Sequence, residues 1–202
     1  MTPTRHPSDA VLADYASGAL RSAFSAVVAA HLEHCPHCRD EVAALEAVGG
    51  ALLETLPESG LAAEGLERVM AALDEAEAPA APAQSTIERI AFGRERFLAP
   101  SMGIRKAGSG ADGELLYLLR LPSGQKTLPH GHLGVEFTTV LKGAYNDNGA
   151  LYRAGDFCEM DSAADHQPHV VVGEECVCLI ASERPMRMTT RVGWLVQALT
   201  GV

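Results

Sequence analysis

With 202 residues, of which 47% are apolar and 5% aromatic, the chain can bury a core as one large domain or two small ones. A formal charge of −10 argues against direct nucleic-acid binding, and with no run of 18 apolar residues nothing is expected to span a membrane. Five cysteines, an odd number, speak against a disulfide framework. The N-terminus also lacks the charged-then-apolar layout of a secretory signal, so the expected compartment is the reducing cytoplasm. The charge is unevenly placed. Residues 1–83 hold 4 Lys/Arg against 13 Asp/Glu, a net −9, whereas residues 84–202 hold 12 against 13, a net −1. A first half this acidic should attract a basic protein surface.

The N-terminal part reads as helices. Ser8 is placed to cap a first helix carrying Val11, Leu12 and Tyr15, which Gly18 can end. A second helix runs from about Ser22 to His34, because Phe24, Val27, Val28, His31 and Leu32 repeat at helical spacing and put His31 on the buried face. Pro36 disfavours a helical Cys35 and suits the first turn of a third helix. That helix is expected to bury Val42, Leu45 and Val48 before Gly49-Gly50 stops it. Cys35 therefore lies at a helix–helix corner, with Cys38 one turn on. The pattern His31-x3-Cys35-x2-Cys38 brings one imidazole and two thiolates within reach of one ion, and nitrogen with soft sulfur suits tetrahedral zinc. His34 and His37 lie in the same stretch as alternative ligands. Helix register turns His34 away from the stripe of His31, so His6, just outside the first cap, is preferred for the fourth position. A core of three short helices is meagre, and structural zinc contributes on the order of 10 kcal/mol or more to such folds.

A fourth amphipathic helix is expected over about Ala63 to Ala76, with Leu66, Val69, Met70 and Leu73 on one face. Patterning alone leaves open whether that face packs back on the first three helices or lies across a partner. A Pro/Ala segment, residues 77–85, reads as a linker between a helical domain, 1–76, and a second domain, 86–202. There the period changes to that of short strands at Leu115–Leu121, Val135–Leu141, Cys158–Met160, Val170–Val172 and Cys176–Ala181. They are parted by Pro-Ser-Gly, Asn-Asp-Asn-Gly and Ala-Gly-Asp turns. A small antiparallel sandwich or barrel follows.

Within it, Gly124, His130-x-His132, Glu136 and Gly143 follow one another at fixed spacing. Two imidazoles and a carboxylate on one strand face make a divalent-metal site, with His166 a fourth ligand from a later strand. This spacing resembles the cupin motif, G-x5-H-x-H-x3-E-x6-G. Asp161 and Ala163 stand where the second cupin motif usually carries Pro and Gly, though His166 is in place. Cys176 and Cys178 share a strand face and, like Cys158, read as small buried hydrophobes before a redox pair. His169 reads as an exposed turn histidine.

A helical part with His6, His31, Cys35 and Cys38, followed by a cupin, resembles the ChrR-type zinc-binding anti-sigma factors over essentially the whole chain. The resemblance implies an α+β two-domain fold, a zinc-stabilised helical bundle followed by a cupin β-barrel. It implies a regulator without enzymatic activity. Its residues 1–85 would bind and inhibit an extracytoplasmic-function sigma factor, and its cupin, holding a divalent metal with zinc the first choice, would be needed for release by singlet oxygen or organic hydroperoxides. Two other classes stay open on the residues: an oxygenase-like cupin enzyme with a zinc-stabilised docking domain, and a zinc-stabilised scaffold for another basic partner.

Overall fold

The computed structural model describes residues 2–60, 62–75, 84–99, 102–108, 113–162, 165–190 and 193. Helix α1, Asp9–Ala16, is capped by Ser8, whose Oγ accepts from the Val11 N–H at 3.4 Å. Helix α2 spans Ser22–His34. Its capping residue, Arg21, has no acceptor to offer, and the open N–H end is met from the β region by Glu114. The buried Glu114 places Oε1 3.5 Å from the Ala23 nitrogen and 3.3 Å from Ser22 Oγ, a carboxylate where the helix dipole favours one.

Helix α3, Pro36–Leu53, runs through Gly49-Gly50 instead of ending there. Each glycine costs a helix only about 1 kcal/mol relative to alanine, and Ala51, Leu52 and Leu53 carry the helix on toward Pro57. Of its expected core residues Val42 is buried, but Leu45 is 36% and Val48 60% exposed. Helix α4, Gly65–Glu75, likewise leaves Leu66, Val69, Met70 and Leu73 exposed, so among the described residues nothing covers its apolar face. Most of the expected linker, its residues 77–83, lies outside the described residues. Beyond it a short helix α5, Thr86–Arg89, is held by a capping box between Ser85 and Glu88.

Eleven strands follow: β1 Arg96–Ala99, β2 Met102–Lys106, β3 Leu115–Leu121, β4 His130–Gly131, β5 Glu136–Lys142, β6 Ala144–Asp147, β7 Ala150–Arg153, β8 Phe157–Met160, β9 His169–Val170, β10 Cys176–Ser182 and β11 Arg187–Met188. They pair antiparallel into a six-stranded sheet of order β1-β2-β3-β10-β5-β8, a three-stranded sheet β7-β6-β9 and a two-stranded sheet β11-β4. The expected barrel is thus a β-rich, cupin-like arrangement of three sheets, and no sheet closes on itself among the described residues.

The two faces of the large sheet have different tasks, as strand alternation dictates. Leu116, Phe137, Leu179 and Ala181 face the helices and share one continuous core with Val11, Phe24, Val28 and Val42. Phe24 meets Phe137 edge-on at 4.9 Å between ring centres, and Thr139 Oγ1 donates to the Val27 carbonyl at 2.8 Å. Tyr117, Val140, Cys178 and Ile180 point to the other side, into a second apolar cluster with Tyr145 and Val170 of the small sheet. Among the described residues no helix is long and apolar enough to cross a membrane.

Candidate functional site

The first cluster forms where α2 meets α3. Cys35 ends one helix and starts the next in an extended conformation, φ −114° and ψ 99°, as the following proline requires. The ligand atoms of His6, His31, Cys35 and Cys38 all lie within 4.8 Å of one another. His6 Nδ1 is 3.3 Å from each sulfur, and His31 Nε2 is 3.4 Å from the Cys38 Sγ. The other nitrogen of His31, Nδ1, lies 2.7 Å from the Gly155 carbonyl. A carbonyl only accepts, so Nδ1 carries the proton and Nε2 turns its lone pair to the sulfurs. Burial lowers the His31 pKa to about 4, keeping the ring neutral, and burial followed by Cys35 pushes the Cys38 thiol up to about 12. A bound cation reverses that second preference by taking the thiolate. Two nitrogens and two sulfurs in this array fit a tetrahedral metal.

His6 is exposed and sits in an extended N-terminal strap held from the β region. The buried carboxylate of Asp156 accepts from the backbone N–H of Thr4 at 2.6 Å and of Arg5 at 3.1 Å, while its other oxygen accepts from Arg153 at 2.8 Å. The Phe157 N–H closes the arrangement on the Arg5 carbonyl at 3.0 Å. Gly155 makes the close approach possible. Its φ is +91°, and a Cβ there would stand 2.9 Å from Pro3 Cγ and 3.2 Å from His34 Cβ. His34 and His37 are exposed and stay outside the cluster, His37 touching only the edge of the His6 ring at 5.4 Å.

The second cluster lies in the β region. His130 and His166 exchange backbone hydrogen bonds of 3.1 and 2.8 Å, which fixes their side chains side by side. His130 Nδ1 donates to the Leu128 carbonyl at 2.8 Å, and His166 Nδ1 lies 2.6 Å from Asp147 Oδ2. Their Nε2 atoms are thereby aimed at each other, 3.0 Å apart, with the Nε2 of His132 2.8 Å from that of His166. Converging lone pairs repel unless a proton or a cation stands between them, and three buried imidazoles so oriented are a donor set for a divalent ion. Burial, and then the other two histidines, lower the His132 pKa to about 4; burial also lowers that of His130. Glu136, expected as a ligand together with His130 and His132, is buried at the start of β5 beside the three histidines rather than among them. Its Oε2 lies 3.6 Å from His132 Nδ1 and accepts from the Tyr117 hydroxyl at 3.4 Å, and burial raises its pKa to about 7. A cavity of about 250 Å³ opens beside His130, Glu136 and His166.

A relative, the anti-sigma-E factor ChrR of Cereibacter sphaeroides, is 39% identical over 208 residues, covering 98% of this chain and 98% of that protein. The chain belongs to the ChrR family. Its residues 105–185 match the ChrR cupin-like domain. The crystal structure of Rhodobacter sphaeroides SigE in complex with the anti-sigma ChrR superposes with a TM-score of 0.77 at 39% identity, covering 90% of this chain and 99% of that one.

The stretch that matches the ChrR cupin-like domain holds all of the second cluster and also Gly155 and Asp156, which brace the first. Read from the sequence, Asn-Asp-Asn-Gly is one turn, and that reading hides Asp147. The turn is Asn148-Gly149 alone, with φ +47° and +79°, so Asp147 is the last residue of β6 and points inward with Tyr145. An Asn-Gly pair between alternating strands was the signal that could have found it. His169 is half-buried on β9 and joins neither cluster. Cys158, Cys176 and Cys178 are buried, with the last two sulfurs 3.7 Å apart.

Proposed function

We propose that this ChrR-family chain is a cytoplasmic anti-sigma factor, a regulator and not an enzyme. Its residues 1–85 capture and inhibit an extracytoplasmic-function sigma factor, and an oxidant sensed through the second cluster releases it. The observation that carries the capture is the apolar face left uncovered on the second half of α3 and on α4. Val48, Leu52, Leu66 and Leu73 are each about 60% exposed in a region of net charge −9. Apolar anchors in an acidic surround fit a partner whose own surface is basic, as surfaces that meet DNA and polymerase are. The kinship supports the same reading, since the related ChrR was crystallised with SigE.

The donor sets support different roles for the metals. Zinc in the first site, held by His6, His31, Cys35 and Cys38, would have four protein ligands and no open position, which suits a structural ion. The second, offered by His130, His132 and His166 with Glu136 beside them, opens on a cavity. A divalent ion there, zinc the first choice, would supply a Lewis-acid centre that a further ligand or oxidant can reach. Co-expression of the tagged full chain with a sigma factor of this class tests the capture. A stable one-to-one complex is expected, and a full chain that emerges metal-loaded and alone refutes it.

A further inference from the structure

Four of the six methionines, Met102, Met160, Met186 and Met188, line the cavity beside the second cluster. Of the other two, Met1 lies outside the described residues and Met70 is 53% exposed on α4. Two of the four are cross-strand partners of candidate ligands: Met160 is paired with Glu136 and Met188 with His130. Leu119, Leu121 and Ile180 line the same space, so an aliphatic side chain fits there and the thioethers are not required for packing. What a thioether adds is a nucleophilic sulfur that needs no deprotonation to react, unlike the thiols of Cys158 and Cys178 in the same wall.

We propose that this cavity is an oxygen-acceptor site, which admits an organic peroxide with a compact apolar tail and takes its terminal oxygen onto the thioethers of Met160 and Met188. The inference rests on, and deepens, the reading that an oxidant releases the partner. In the step the sulfur attacks the terminal peroxide oxygen, the O–O bond breaks and the S–O bond forms. The proton on that oxygen passes to the departing alkoxide. Methionine is oxidised to its sulfoxide and the peroxide is reduced to the alcohol, with no further reactant. The product is a polar, chiral group set against His130 and Glu136 in an apolar wall, which the cavity cannot accommodate unchanged. Met160 ends the strand that begins at Phe157, next to the Gly155 and Asp156 that hold His31 and the His6 strap, so displacement of β8 reaches the first cluster directly.

The test uses the full chain as purified with its metals, limiting cumene hydroperoxide, and peptide mass spectrometry. Met160 and Met188 should be oxidised about tenfold (about 1.4 kcal/mol) ahead of exposed Met70, and hydrogen peroxide, which has no apolar tail, should invert the order. The proposal is overturned if Met70 leads with both peroxides, or if cysteines oxidise while Met160 and Met188 stay intact. Met160→Leu with Met188→Leu, a volume-conserving pair, should keep partner capture and slow release by cumene hydroperoxide about tenfold. Release at the unaltered rate from that variant removes the methionines from the mechanism and leaves oxidant release standing. If the unaltered chain sulfoxidises in the stated order but no oxidant releases the partner, the acceptor site stands and the oxidant-release reading falls.

Discussion

Asp156→Ala should damage a metal site to which Asp156 contributes no ligand. The carboxylate receives three backbone N–H groups, at 2.6, 3.1 and 2.8 Å, two of them from the strap that carries His6. Hydrogen bonds to a charged group contribute about 1.5–3 kcal/mol each, and with water replacing part of the loss at the exposed Thr4 and Arg5 of the strap the substitution should cost about 3–5 kcal/mol. That is a large share of a typical folding free energy, ~5–15 kcal/mol. Freed from its anchor, His6 has to be ordered when the metal binds, and loss of a group that holds a ligand typically weakens a metal site about 10–100-fold. Titration against a chromophoric chelator reads the affinity of both sites, and urea unfolding reads the stability. The first site alone should weaken, while the His130–His132–His166 site, to which Asp156 gives no hydrogen bond among the described residues, keeps its affinity. Unchanged affinity at the first site together with unchanged stability would show that the strap is not held from the β region.

Cys38→Ala should abolish metal binding at the first site and unfold the helical part, read by zinc content and circular dichroism; a folded, fully inhibitory variant contradicts a structural ion. Gly155→Ala should cost about 1–2 kcal/mol from its left-handed backbone alone, with a further loss from contact with Pro3, measured by urea unfolding. Leu66→Glu with Leu73→Glu should leave the unfolding midpoint within experimental scatter, since both side chains are more than 60% exposed, yet weaken sigma-factor binding about 30-fold or more in calorimetry. His130→Ala with Glu136→Ala should leave a sigma-dependent reporter silent at rest and keep it silent under singlet oxygen. Derepression at rest, in protein that is folded and present at normal levels, would make the β region part of the clamp.

What the sequence disclosed is what local pattern encodes. The apolar stripe from Phe24 to Leu32 and the stop at Pro36 predicted α2 to its end residues and placed Cys35 at the corner. Alternation located β3 and β10 to within a residue, and fixed spacing marked the histidines that come together. Two-residue strands such as β4 and β11 carry too few residues to show a period. Gly49-Gly50 looked like a stop because composition does not reveal that a helix can pass two glycines at a modest cost. Asp156 read as an ordinary turn residue, because its bond to Thr4 spans 152 positions and no local pattern encodes it. The shared core was hidden for the same reason: nothing along the chain says that Phe24 will meet Phe137.

Capture of a sigma factor by a helical part built around a metal can be followed in transcription with purified components. RNA polymerase, the cognate sigma factor and a promoter it serves are combined with the full chain, as purified and after Cys38→Ala. Loss of transcripts is expected at one equivalent of the metal-loaded chain, and undiminished transcription with the Cys38→Ala protein. Transcription that continues undiminished in the presence of excess folded, metal-loaded chain would contradict the capture.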